Sequence, residues 1–187
     1  MPTSGESVKV AQSLFQEAGS GSIPTSPLQL WIDVIPFKQA ISLNKKWHSR
    51  LPRMGTGFIQ NPPFLCFGAQ FDGNWYASAI WSNPVARHLP QVEWLELRRL
   101  AICESSPRNT ASRMLSVMTR LIKRMNKSVL KLISYQDMDV HTGGIYRASG
   151  WVATAINKDG KWNRPNRSRP ESQSNSPKQR WELEIRK

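Results

Sequence analysis

Four groups that hold or move protons fall within one stretch, QDMDVHTGGIY: Asp137, Asp139, His141 and Tyr146. A tyrosine hydroxyl can give up a proton as a general acid, a carboxylate can take one as a base, and an imidazole does either. With His48, the same carboxylates and His141 are the imidazole and carboxylate groups that could ligate a metal, His48 and Asp137 foremost. Plainer uses stand beside these: His48 as a helix cap, Asp139 and His141 as solvated loop residues. Tyr146 precedes Gly150 and Trp151 by about one helical turn. Gly150 would end a short helix so that Trp151 begins a strand. Gly143 and Gly144 would form a turn or let the backbone approach a ligand. Whether Tyr146 packs or is aimed at a ligand is the question this stretch poses.

A second constellation lies upstream. The run VEWLELRRLAI (92–102) reads as a strand with Trp94, Glu96 and Arg98 on one face and Leu95, Leu97 and Arg99 on the other. CESSPRNT reads as a loop and helix start, with Ser105, Ser106, Asn109 and Thr110 as cap candidates. From Ala111 to Met125 the apolar residues recur at helical spacing. A helix start after a strand presents free N–H groups and a positive dipole end to phosphate, and Arg108 and Arg113 add charge there. An ordinary capped helix with exposed arginines fits the same residues.

Charge narrows the partners. The chain has 26 Lys and Arg against 13 Asp and Glu, a formal charge of +13, with eight tryptophans. That excess favours polyanions, nucleic acid first and acidic membrane surfaces second. Lys45, Lys46, Arg50 and Arg53 surround His48, and Lys158, Lys161, Arg164, Arg167 and Arg169 crowd a late segment with Trp162 among them. Phosphate contacts of this kind give affinity without sequence choice, and Trp162 could stack on a base. The later half of 157–179 reads as a disordered linker. No apolar run approaches a membrane span. Residues 1–26 show no signal-peptide pattern and read as a partly ordered leader. Cys66 and Cys103 lack a metal or redox spacing, so a reducing cytoplasm is expected.

The elements that must position these groups follow in order. LQLWIDVIP (28–36) is a strand, and Pro36 opens a helix through FKQAISLNKKWHS. FLCFGAQF and NWYASAIWS form a hairpin around Asp72-Gly73. After the third strand and second helix come the strand VLKLISY, a short helix, the strand WVATAI, the basic loop and the closing strand RWELEIRK. The expectation is one α/β (α+β layered) domain over 27–187, a mixed central sheet flanked by helices.

This order resembles the GNAT acyltransferase fold, in which the strand–loop–helix unit holds the coenzyme A pyrophosphate through Q/R-x-x-G-x-G/A. RNTASR fits at Arg108, with Ala111 at the first glycine and Arg113 at the last small residue. IYRASGW is similar to the family's Y-x-x-x-G-[FW], whose tyrosine serves as general acid for the departing thiolate. Read together, FKQAISLNKKWHSRLP, LRRLAI, NTASRML, LISYQDMDVHTGGIYRASGW and RPNRSR resemble the Mom family of phage DNA-modification proteins across about residues 28–169.

That resemblance implies conversion of adenine in double-stranded DNA to N6-(carbamoylmethyl)adenine, protecting phage DNA from restriction. It implies acetyl-CoA as ligand or donor, and Fe(II) in the chemistry. The site residues it implies are Tyr146, Asp137, His48, Arg99 and Ser112, with Arg98 the other register of the arginine doublet. Leu100, Ile102 and the run Arg108, Asn109, Thr110, Ala111, Ser112, Arg113 would line the cofactor. Two rivals stay open: an ordinary acetyl-CoA-dependent N-acetyltransferase of a protein or small amine, and a non-catalytic basic DNA-binding module. A dimer fits the sequence as well as a monomer does.

Overall fold

Alternating and wholly apolar runs pair into one seven-stranded sheet in the computed structural model, which describes residues 23–48, 65–157 and 176–186. In chain order the elements are β1 (Trp31–Val34), α1 (Phe37–Trp47), β2 (Leu65–Phe71), β3 (Asn74–Ser82), β4 (Trp94–Ile102), α2 (Thr110–Met125), β5 (Lys131–Asp137), α3 (Gly144–Ala148), β6 (Val152–Asn157) and β7 (Lys178–Glu184). The sheet order is β1-β2-β3-β4-β5-β7-β6. Every neighbouring pair is antiparallel except β4 with β5. That parallel pair needs a crossover, and α2 supplies it.

Local chemistry accounts for most boundaries. Asp72 and Gly73 both take positive φ, 47° and 73°, which a two-residue turn needs to match the twist of its strands. The expected strand over 28–36 begins only at Trp31. Pro27–Gln29 form a 3₁₀ turn, because Ser26 accepts from the Leu28 N–H and the Gln29 side chain accepts from the Ser26 N–H. The remaining elements fall within a few residues of their expected spans.

The helices divide between the two faces of the sheet. On one face Ala40 of α1 packs on Ile35, Cys66 and Ile80. On the other, Met114, Leu115, Met118, Leu121 and Ile122 of α2 join Phe67, Trp81, Leu97, Leu132, Tyr146 and Trp181 in the main core. Fully burying each such aliphatic side chain is worth roughly 1.5–3 kcal/mol, so the α2 face carries most of the apolar stabilisation.

One irregularity decides the site. Ile80 pairs with Arg99 and Trp81 with Leu97, so Arg98 is an extra residue in a β-bulge. A bulge bends its strand and increases local twist. The ladder between β4 and β5 runs from Trp94↔Lys131 to Leu97↔Ser134 and stops there, beside the bulge. Beyond Leu97 and Ser134 the two parallel strands no longer pair with each other, and the sheet forks. The bulge also corrects the expected strand alternation. Arg99 lies opposite Ile80 and so on the α1 face, whereas Leu97, two residues earlier, lies on the α2 face.

Candidate active site at the fork

Ser134, the last residue of β5 paired with β4, sits at the root of the fork and is buried. Its hydroxyl lies 2.8 Å from the hydroxyl of Tyr146, which α3 delivers from the α2 side. The Tyr146 ring stacks on Trp181 of β7, with centroids 5.2 Å apart and planes 13° from parallel. It also meets the edge of Trp151, centroids 5.7 Å apart. The Trp181 indole N–H donates to Gln136 Oε1 at 2.7 Å, and the Gln136 amide donates to the His141 carbonyl. Burial pushes the Tyr146 hydroxyl above its ordinary value, opposed by the bond to Ser134. At neutral pH it is therefore a phenol with a proton to give.

The glycines of this stretch have separate reasons. Gly143 takes φ +76° before α3, and a Cβ there would overlap the Trp181 indole and the Gln136 amide. Gly150 takes φ +78° after α3 with open space around it, so conformation alone favours glycine there.

On the α1 side the fork is lined by charge. The buried Glu96 carboxylate accepts from the Val85 N–H at 2.9 Å and pairs with Arg98 Nε at 3.3 Å. Arg98 also donates to Ser82 Oγ. Arg99 donates to the Arg98 carbonyl at 2.7 Å and makes no ion pair within 4 Å among the described residues. Burial, then the neighbouring Arg98, brings its guanidinium down to about 10, with Glu96 opposing. It stays cationic at neutral pH. His48 caps the C-terminus of α1 through its backbone N–H on the Asn44 carbonyl. Burial first, then Arg99 and His141, lowers its imidazole below 6.5, so it is neutral at physiological pH. The doublet thus divides: Arg98 belongs to Glu96, and Arg99 faces His48.

The start of α2 forms a third part. Asn109 precedes it with φ +69° and provides no side-chain cap. The expected caps work elsewhere: Thr110 donates to the Pro107 carbonyl, Ser106 to the Tyr76 carbonyl, and Ser105 lies beside Cys103 Sγ. Without a side-chain cap, the first-turn N–H groups keep their affinity for an anion. The left-handed residue is Asn109; Ala111, expected at the first glycine, already lies in the helix. A cavity of about 300 Å³ opens beside this turn, lined by Asn109, Ser112, Arg113, Ser116 and Arg120 with Leu28 opposite. Arg113 donates to the Leu28 carbonyl at 3.5 Å and makes no ion pair among the described residues. Burial, then the like charge of Arg120, lowers its guanidinium.

The structure therefore brings His48 and Arg99 together on one side, and Tyr146 to the root of the fork. Ser112 donates to the Asn109 carbonyl within the α2 start, and Leu100 and Ile102 pack against the α2-side core. Arg108 is exposed. Asp137 lies at the end of β5, accepts from the Asp139 N–H and pairs with Lys178 at 3.3 Å. Lys45 and Lys46 are exposed at the end of α1. Arg50, Arg53, Lys158, Lys161, Trp162, Arg164, Arg167 and Arg169 lie outside the described residues, as does most of the leader.

The iron expectation finds no support among the described residues. Among the described residues no group of three or more His, Cys, Asp or Glu side chains comes close enough to hold a metal ion. His48 faces the Arg99 guanidinium, which repels a cation, and Asp137 is paired with Lys178. Sequence reasoning missed Ser134 and Arg120. Arg120 was visible as the residue seven after Arg113 on one helix face; Ser134 carried no signal, because only folding brings it to Tyr146.

Comparisons with known proteins place this geometry. A family model described as the Mom protein family matches residues 29–180. No curated protein matches the chain in sequence. Among solved structures, the ribosomal-protein-S18-alanine N-acetyltransferase from Escherichia coli superposes with a TM-score of 0.60 at 14% identity, covering 84% of this chain and 95% of that one. An acetyltransferase from Bacillus subtilis in complex with CoA gives 0.58 at 12% identity, covering 83% and 98%. An N-acetyltransferase from Staphylococcus aureus gives 0.61 at 9%, covering 83% and 97%. These likenesses establish the GNAT-like mixed α/β fold. Among the described residues no helix is long and apolar enough to cross a membrane.

Proposed function

The chain belongs to the Mom protein family, and from that premise we propose that it modifies adenine N6 in duplex DNA with an acyl-CoA ligand. One observation carries the reading: the fork has a buried phenol at its root on the α2 side and, on the α1 side, an arginine with no ion-pair partner among the described residues. A ligand threading the fork from the α2 side meets a proton donor, and a base entering from the α1 side meets a hydrogen-bond donor.

In this reading the α2 start, with Ser112, Arg113 and Arg120, holds the CoA phosphates through N–H groups and charge. A bacterial acetyltransferase of the same fold, solved in complex with CoA, supports CoA as the ligand. The adenine must leave the stack, because N6 cannot be reached inside the duplex. Arg99 donates to the edge of the extruded base, and neutral His48 beside it adds no second charge. Asp137, at the end of β5, accepts from N6–H. Tyr146 gives its proton to the departing sulfur. The basic residues on α1 and in the late segment, with the net charge of +13, hold the DNA backbone.

The family resemblance implies N6-(carbamoylmethyl)adenine, in which N6 is bonded to an alkyl carbon. Direct acyl transfer from a thioester would bond N6 to a carbonyl carbon and give an amide, so the products differ in mass. The test is co-expression with a plasmid, followed by digestion of the DNA to nucleosides and mass measurement. A modified deoxyadenosine, absent with empty vector, is expected. An unmodified adenosine pool together with acetylated protein or amine would replace this reading with an ordinary N-acetyltransferase.

A further inference from the structure

Tyr146 and Ser134 form the buried polar contact at the fork, and either oxygen can be the donor at rest. Proton delivery breaks that symmetry. If Tyr146 donates to Ser134, its hydrogen points into β5 and is lost to any ligand. If Ser134 donates, the phenolic hydrogen is released toward the fork, and the oxygen left after proton transfer keeps a hydrogen bond. We propose that Ser134 is the positioning residue for Tyr146: its hydroxyl donates to the tyrosine oxygen, aims the phenolic proton into the fork and stabilises the phenolate left behind. This rests on the reading that Tyr146 is the acid.

The surroundings leave Ser134 that role alone. Trp181 stacks on one ring face and Trp151 meets it edge-on, so packing fixes the ring plane but not the hydroxyl rotor. Ser134 is fixed in turn by the ladder, opposite Leu97 on β4 and Trp181 on β7. Burial raises the phenol and Ser134 lowers it, with no charged group among the influences on it. The cation in the same cluster, Arg147 of α3, lies 5.8 Å over the Trp181 ring. Gln136, the other polar group from β5, is committed to Trp181 and the His141 carbonyl. In the proton step the Tyr146 O–H bond breaks, the proton passes to the departing thiolate, and the phenolate accepts from Ser134.

The test is a pH–rate profile of adenine modification for wild type, Ser134→Ala and Ser134→Thr, with thermal melts confirming each fold. The alanine variant should lose about tenfold or more in kcat, the low end of general-acid effects, while KM for the CoA donor moves by less than about twofold. Its alkaline limb should move to higher pH, because the phenolate has lost its donor. The threonine variant keeps the hydroxyl and should restore both. A folded alanine variant with wild-type kcat and an unmoved limb overturns the inference while Tyr146 remains the acid. Full activity in Tyr146→Phe overturns the acid assignment itself, and this inference with it.

Discussion

On the α2 side of the fork Tyr146, Trp151 and Trp181 are buried and uncharged, whereas on the α1 side Glu96, Arg98, Arg99 and His48 are charged or titratable and mostly half-covered. The first side holds its functional group by packing, with stacked rings around one hydroxyl pair. The second holds it by electrostatics, with Glu96 neutralising Arg98 so that Arg99 is left for a ligand. A proton donor needs a dry, fixed environment to stay protonated and aimed. A base-reading arginine needs a path to solvent and a partner of its own left unmade. The difference predicts that damage on the α2 side spreads through the fold, while damage on the α1 side can be confined to function.

The largest expected effect breaks the packed side. Trp181→Ala removes the stack on Tyr146 and the bond to Gln136, and should destabilise by about 3–5 kcal/mol in denaturant melts, with modification lost. Tyr146→Phe sharpens the same side. Modification should fall by roughly 10²–10⁴-fold, read as modified deoxyadenosine per plasmid, while stability drops only about 1–3 kcal/mol for the unsatisfied Ser134 hydroxyl.

The charged side separates within the doublet. Arg98→Ala leaves the buried Glu96 carboxylate without its pair and should cost about 3 kcal/mol in denaturant melts. Arg99→Ala removes a guanidinium with no ion-pair partner among the described residues, so stability should change by about 1 kcal/mol or less while modification is lost. Equal destabilisation by the two would erase the distinction drawn between them.

The smallest effect is a pH slope. His48 is held below its ordinary value, so between 6.5 and that lower value the unfolded chain takes up a proton that the folded chain refuses. Its contribution to stability is complete above 6.5 and is lost as pH falls through the lowered value. Thermal melts from neutral to mildly acid pH should show that fall in wild type and less of it in His48→Gln.

Much of this was legible in the sequence. Hydrophobic period, the Asp72-Gly73 turn and Pro36 located the strands and helices because those signals act within a few residues. The fork was not legible: a β-bulge depends on how β4 meets β3, and strict alternation therefore set Arg98 and Arg99 on opposite faces. The same limit hid the start of α2, where Asn109 takes a left-handed conformation that its neighbours do not announce. Tyr146 is a packed ring whose hydroxyl bonds to Ser134 at the fork. Its partners Ser134 and Trp181 come from two other strands, joined to it only by folding.

The most direct test of a two-sided fork is calorimetric titration of CoA and of duplex DNA, separately, into wild type, Arg99→Ala and Arg113→Glu. Arg113→Glu should lose CoA binding and keep DNA binding to within severalfold. Arg99→Ala should keep CoA binding, and should lose the preference for a duplex with a mismatched, readily extruded adenine over a fully paired one. If either variant loses both ligands while folded, or neither loses its own, the two sides do not divide the work between donor and DNA.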